Sequence, residues 1–407
     1  MLQSGDTAFV LISAALVLFM IPGLALFYGG MVRKKNVLGT IMQSFILISL
    51  VTFEWIYLGY SMSFGPDVGG LIGSLAWAGL GGIGAAPSPD YAPTVPHIAF
   101  AMYQCMFAAI TPALITGAVA ERMRFGPFLI FSLAWTVLVY NPVCHWVWGN
   151  GGWLREMGVL DFAGGIVVHL TCGAAALAAV LLTGPRKDHG KHQIVPHNLP
   201  MTLLGTGMLW FGWFGFNAGS ALAADGVAAG AFAATHVGGM AGMAMWCAIE
   251  WYHRGKPTTL GAASGAVAGL ATITPGAGFV SPGAAVAFGL LAGGVCYGAV
   301  LLKARLRFDD SLDVVGIHGV GGVLGSLLVG VFASKLVNPA GADGLLAGNP
   351  GQLGVQLLAI AVVGVFAFVA SWLILAAVKA AMGLRLTQQA ETIGLDLSEH
   401  TEAAYGE

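Results

Sequence analysis

The chain has 407 residues, of which 57% are hydrophobic and only 9% charged, with a mean hydropathy of +0.81. A soluble domain carries roughly 25% charged residues, so this composition excludes a soluble globular class and indicates a membrane protein. The net charge of −2 provides no electrostatic footprint for a nucleic-acid partner.

The N-terminal "MLQSGDTAFV" has no basic region ahead of its apolar run, so no cleavable signal is visible. A helix needs about 20 mainly apolar residues to cross the hydrocarbon core. In chain order eleven segments meet that requirement, at about 7–30, 37–61, 97–120, 126–148, 161–183, 199–218, 227–250, 260–277, 283–302, 314–333 and 353–380. The expectation is an all-α polytopic membrane protein of eleven transmembrane helices.

The connecting segments sort by charge. One alternating set, with the tail, holds 15 of the 17 Lys and Arg residues, from Arg33, Lys34 and Lys35 through Arg305 and Arg307 to Lys379 and Arg385. The other set holds only Arg155 and Lys335. The positive-inside rule then places the N-terminus outside and the C-terminus in the cytoplasm. Segments one to five and six to ten therefore run in opposite senses, an inverted 5+5 repeat with one extra helix. The repeats cover about 7–183 and 199–333, helix eleven covers about 353–380, and residues 381–407 form a cytoplasmic tail.

Small residues four apart let helices approach closely, as with Gly261, Gly265 and Gly269, Gly289 with Gly293, and Gly321 with Gly325. The five cysteines are an odd number without a CxxC and lie in or at the ends of apolar segments, so they read as small core residues.

The fifth and tenth segments each contain a histidine where apolar residues are the rule. His169 follows Asp161 by eight residues in "DFAGGIVVHLTCG", and His318 follows Asp310 by the same interval in "DDSLDVVGIHGVGG". Eight helical residues rise about 12 Å, so the two imidazoles approach the midplane from opposite faces at similar depth. Each can then be the other's hydrogen-bond partner and share a proton. Ionisable residues inside membranes mark substrate or proton paths. No third ligand joins them, so neither a metal nor another cofactor is expected.

The remaining histidines are weaker candidates. His189, His192, His197, His253 and His400 fall in cytoplasmic segments and are expected to be solvated. His97 and His145 lie near outer ends, and His236 has no assignable partner. Phe107, Trp148 and the run "WFGWFGFNAGS" (Trp210 to Ser220) gather near the outer face, where an interfacial aromatic belt explains them as well as a binding site does.

Long motifs carry a resemblance over nearly the whole chain. "MIPGLALFYGGMVRKKN", "GAVAERMRF", "HWVWGNGGW", "DFAGGIVVHL", "WFGWFGFNAGS", "RGKPTTLGAASGAVAGL", "DVVGIHGVGG" and "GLDLSEHTEAAY" resemble the ammonium transporter (Amt/Mep/Rh) family, on its Amt branch. The resemblance implies a transporter domain over 1–380 and a recruitment site for ammonium formed by Phe107, Trp148 and Ser220. It further implies a gate of Phe107 and Phe216, a pore lined by Trp213, His169 and His318, and a supporting role for Asp161. A homotrimer in the plasma (inner) membrane, nitrogen uptake and a PII-type signalling partner at the cytoplasmic face are implied as well.

Cation–π attraction of roughly 0.5–2 kcal/mol per ring suits such recruitment. Deprotonation suits passage, because a neutral ammonia avoids the desolvation cost of the ion. Asp161 is expected to cap its helix instead of taking the proton. Two departures stand out. Thr401 replaces a family glycine and is expected to alter its turn, and Glu54 lies inside the second span, where snorkelling or a subunit contact would satisfy it. Competing readings are an Rh-like neutral gas channel and an ammonium sensor acting through a cytoplasmic partner. No constellation suggests an enzyme.

Overall fold

The computed structural model describes residues 1–406 apart from Gln193 and Arg307. Arg307, one of the fifteen clustered positive residues, therefore lies outside the described residues.

Each expected span falls on a helix. These are α1 (Ser4–Met31), α2 (Lys34–Phe64), α3 (His97–Val119), α4 (Phe125–Glu156, interrupted at 149–152), α5 (Gly165–Thr183), α6 (Leu199–Ala218), α7 (Gly226–Arg254), α8 (Thr259–Ile273), α9 (Pro282–Leu306), α10 (Val315–Phe332) and α11 (Pro350–Met382). Among the described residues nine are long and apolar enough to cross a membrane, and the others are α6 and the shorter apolar α8. Among the described residues the strands form two small hairpins between α2 and α3, β1 (Asp67–Val68) with β2 (Ile72–Gly73) and β3 (Pro87–Ser88) with β4 (Ala92–Pro96). The tail adds short helices α12 (Gln388–Ile393) and α13 (Leu395–His400).

α1 lies along α6, and the opening turn of α5 packs against α10. Several of the expected small-residue contacts are real. A side chain at Gly265 or Gly269 would collide with the α7 backbone near Gly242 and Gly238, and one at Gly289 or Gly293 would meet those same carbonyls from α9. The cysteines are free; four are buried and Cys247 is half-buried.

Two differences from the sequence reading have local causes. Neither α5 nor α10 begins as a regular α-helix, because residues 165–170 and 315–319 are π-helical turns, a form that recurs at functional sites. Asp161 also precedes its helix by four residues, since the chain turns through Gly164 at φ +118° before the first helical residue. The simple helical rise from Asp161 to His169 therefore does not hold.

Glu54 neither snorkels nor waits for another subunit. It is buried within the chain, its Oε1 accepts a hydrogen bond from Asn141 Nδ2 at 2.7 Å, and its Oε2 has no partner among the described residues. The carboxyl folds back over Gly59, across a further π-helical turn at Trp55–Gly59, where any Cβ would meet it.

Candidate functional site

The centre is set by contact between α5 and α10. A Cβ on Gly173 would sit 2.2 Å from the Cα of Gly319, and one on Gly322 would sit 3.0 Å from the Cβ of His169. With the backbones this close, the histidines carried within the two π turns face one another. His169 Nδ1 and His318 Nδ1 lie 3.2 Å apart, with ring planes 18° from parallel. Both rings are buried. A nitrogen–nitrogen hydrogen bond needs one donor and one acceptor, so two neutral imidazoles here must hold opposite tautomers. Among the described residues His169 Nε2 is buried without a partner.

Trp213 stacks on His169 with centroids 5.7 Å apart, and its indole N–H donates to Thr274 Oγ1 at 2.8 Å. Together with Leu114, Val168 and Leu209 these rings line a cavity of about 10 Å³. That is about enough for one water-sized molecule. Phe216, which also lines this cavity, lies against Phe107 with ring centroids 4.2 Å apart and planes 30° from parallel.

Beyond the phenyl pair a cavity of about 440 Å³ opens, bounded by Phe107, Trp148, Asp161 and Ser220 among others. Phe107 and Trp148 stand edge to face at 89° with centroids 6.1 Å apart. The Ser220 hydroxyl donates to the Phe216 carbonyl at 2.9 Å, and its oxygen lies 3.2 Å from the Tyr103 hydroxyl. With its hydrogen so used, the serine oxygen is left as an acceptor.

Asp161 binds the start of α5. One carboxylate oxygen accepts from the N–H groups of Gly164 at 2.9 Å and Gly165 at 2.6 Å. The other accepts from Ile166 at 2.8 Å and Val167 at 3.0 Å. A carboxylate has about four lone-pair sites, and four donors occupy them. Asp310 repeats the motif less fully, accepting from Val315 N at 2.8 Å through one oxygen while the other has no partner among the described residues. The structure thus brings together Phe107, Trp148, Phe216, Ser220, Trp213, His169 and His318 along one path, with Asp161 beside it.

Comparison with known proteins decides the family. The family model described as Ammonium Transporter Family matches residues 8–405. The chain belongs to the ammonium transporter family. Its relatives include an ammonium transporter of Bacillus subtilis, 51% identical over 99% of both chains. Among solved structures it is similar to Saccharomyces cerevisiae Mep2, with TM-score 0.90 and 37% identity over 95% of this chain and 88% of that one. It is equally similar in fold to a protein described as a sensor Amt, with TM-score 0.90 and 30% identity over 97% and 98% of the two chains.

A buried ion network, not legible in the sequence, lies at the opposite end of the molecule from the aromatic cavity. Glu121, fully buried at φ +72°, is paired with Arg33 at 3.0 Å and Arg186 at 2.9 Å. Arg186 also binds Asp309 at 2.8 Å, and Arg33 binds Asp188 at 2.8 Å. Burial pushes the Asp309 carboxyl up, but hydrogen bonds and charge from Arg186 outweigh it and hold the group well below the usual carboxylate range. Burial opposes ionisation of Glu121 too, and Arg186 and Arg33 turn the balance downward. The GAVAERMRF motif was the available signal, since an adjacent acid and base at a span end need partners.

The tail joins this network. Glu391 pairs with Arg385 at 2.7 Å and accepts from Lys187 N at 2.7 Å, while Asp396 accepts from Gly39 N at 2.8 Å. Several histidines expected to be solvated also have partners in folded segments. His189 lies 3.2 Å from Asp309, His197 2.8 Å from Tyr405 Oη and His253 2.8 Å from Tyr297 Oη, and His400 packs on Phe125. His145 is held between the Ser63 carbonyl and Asp67, and His97 lies beside Tyr60. Thr401 keeps the left-handed conformation, φ +59°, that a glycine would take, so the turn survives the replacement.

Proposed function

We propose that this chain is an eleven-span ammonium transporter of the plasma membrane, N-terminus outside and C-terminus inside, built from an inverted 5+5 repeat over about 7–183 and 199–333. Residues 1–380 form the transport domain and 381–407 the cytoplasmic tail. The reading rests chiefly on the facing pair His169 and His318 in an apolar passage closed outward by Phe107 and Phe216.

Ammonium is gathered in the outer cavity, where the faces of Phe107 and Trp148 attract the cation and Ser220 accepts one of its N–H groups. Carrying the intact ion past Phe107 and Phe216 would strip its water in an apolar channel, at a cost of tens of kcal/mol by Born solvation. Giving up a proton removes that cost. Ammonia then crosses the narrow cavity beside Trp213, while His169 and His318 relay the proton by exchanging tautomers. Asp161 supports the site as a helix cap; with four donors on its oxygens it is a poor proton acceptor.

The protein assembles as a homotrimer with one pore per subunit, and the docked tail with its neighbouring loops forms the face for a PII-type partner. A sensor role has one observation in its favour, the likeness to a sensor Amt. The test is an ammonium pulse applied to proteoliposomes containing the purified protein. An inward current with internal alkalinisation too small for free ammonia entry supports proton relay with transport. Alkalinisation without current supports a neutral gas channel, and neither response leaves the sensor reading.

A further inference from the structure

We infer that His145 is a doubly protonated positioning residue, whose pairing with Asp67 fixes from behind the turn that presents Trp148 to ammonium. The inference rests on the transport reading above and deepens its account of Trp148. His145 does not line the outer cavity. It lies one helical turn before Trp148 at the end of α4, with its side chain fully buried.

The two ring nitrogens decide the protonation state. Nδ1 lies 3.0 Å from the main-chain oxygen of Ser63, and Nε2 lies 2.9 Å from Asp67 Oδ1. A main-chain carbonyl only accepts, so Nδ1 carries a hydrogen. An ionised carboxylate also only accepts, so a ring nitrogen facing one carries a hydrogen too. Asp67 is the ionised partner. It is partly exposed, and its two oxygens accept from the N–H of Gly70 at 2.8 and 3.0 Å. The hydrogen bond from His145, with that from Gly70, holds its carboxyl below the usual carboxylate range. An imidazole with hydrogens on both nitrogens is the imidazolium, and a buried charge needs such a partner.

The pair is built into the turn that follows Trp148. Gly149 N donates to the His145 main-chain oxygen at 2.9 Å, and Trp153 N donates to the Gly70 oxygen at 3.1 Å. A Cβ at Gly149 would collide with His145 Nδ1, one at Gly152 with the His145 main-chain oxygen, and one at Gly151 with Asp67. The run from Gly149 to Gly152 thus folds directly over the ion pair. Trp146 is tied to the same hairpin, its indole N–H donating to the Leu71 oxygen at 2.7 Å. His145 and Asp67 therefore lock the β1–β2 hairpin to the end of α4, where Trp148 sits. Trp148 attracts a cation through its ring face, so a ring free to turn loses part of that attraction.

The test joins nitrogen-15 NMR of histidine-labelled protein to current titrations in proteoliposomes, for wild type, Asp67→Ala and Asp67→Asn. Asp67 lies partly exposed in a surface hairpin, so neither change threatens the fold. At neutral pH the wild type should show a histidine with both ring nitrogens protonated. That signal should change to the neutral pattern in Asp67→Asn, whose amide can donate to a bare Nε2. Asp67→Ala should raise the half-saturating ammonium concentration roughly two- to fivefold, as partial loss of one cation–π contact would, with maximal current near wild type. Asp67→Asn, still able to bridge to His145, should recover most of that loss. A role in stability alone would lower the amount of active protein, and so the maximal current, without moving half-saturation. Half-saturation unmoved by Asp67→Ala, or moved equally by Asp67→Asn, overturns the positioning role. Absence of a doubly protonated histidine that responds to Asp67→Asn overturns the imidazolium. In both cases the transport reading stands. A wild type without ammonium-dependent current overturns the transport reading and the positioning role with it.

Discussion

The indole N–H of Trp148 donates to the main-chain oxygen of Asp161 at 2.8 Å. The outer aromatic wall is therefore fastened to the residue that caps the histidine-bearing helix α5. Loss of the cap should be felt in both places. Asp161→Asn keeps the shape but turns an NH₂ group toward N–H donors, leaving some of the four unmet. Each unmet buried donor costs about 1–3 kcal/mol. Thermal unfolding in detergent should show a loss of at least ~2 kcal/mol, accompanied by weaker ammonium saturation. A variant with wild-type stability and saturation would mean that the cap bears no load.

The buried ion network should set acid stability. Asp309 and Glu121 have folded-state pKa values below their unfolded ones, so their contribution is complete above the unfolded values, about 4. It is lost as pH falls below that through the depressed folded values. The unfolding midpoint should be insensitive to these groups between pH 7 and about 5 and fall below about 4. Arg186→Gln removes their shared partner and should cost about 3–5 kcal/mol at neutral pH, because it takes the guanidinium from buried Asp309 and leaves Glu121 with Arg33 alone. A flat midpoint down to pH 3 would count against the network.

Thr401 is a β-branched residue held at φ +59°. Left-handed backbone costs a non-glycine residue roughly 1–2 kcal/mol. Thr401→Gly should recover about 1 kcal/mol locally, seen as slower hydrogen exchange across Leu395–His400. Exchange that stays the same or quickens would mean that other contacts hold this turn. On the proposed reading, removing residues after Gly383 should lower flux or uncouple subunits while the assembly persists, because the tail is tied to the span ends at Gly39 and Lys187. Unchanged transport and partner binding would make the tail dispensable.

Hydropathy made the helices legible, since burial in lipid demands long apolar runs. The matched intervals to His169 and His318, with the family motifs, made the path legible too. Three features were not. The π turns at 165–170 and 315–319 leave no hydropathy signal, because they alter only hydrogen-bond register. Arg33, Glu121, Arg186 and Asp309 come from four distant places, and their pairing depends on how helix ends converge. Glu54 and Asn141 are likewise 87 positions apart, so the acid's partner was invisible from its neighbours.

The topology needs a surface probe. Ala85 is exposed between the hairpins and Thr258 is exposed before α8, whereas Ser88, nearby, is buried and unsuitable. With Cys247 replaced, Ala85→Cys should react with an impermeant thiol reagent only from outside and Thr258→Cys only from inside. The reverse pattern would overturn the orientation drawn from the 15-to-2 charge split.

On the proposed reading the histidine pair relays the proton. With Nδ1 atoms 3.2 Å apart, one ring donates and the other accepts, and moving a proton between them requires both. Alanine at either position leaves the other imidazole without its partner and widens the passage, so loss of current alone would have two explanations. Charge and mass must be read separately. In proteoliposomes His169→Ala and His318→Ala should each lower ammonium-evoked current at least about tenfold, the loss expected for removing a proton-transfer group. Ammonia entry, read as internal alkalinisation, should persist, because the passage remains open to a neutral molecule. A double variant that regains current while admitting potassium would show that the widened channel now passes ions intact, which assigns selectivity as well as relay to the pair. Wild-type currents with unchanged selectivity in both single variants would reduce the pair to a structural hydrogen bond, and proton transfer would have to be sought elsewhere along the path.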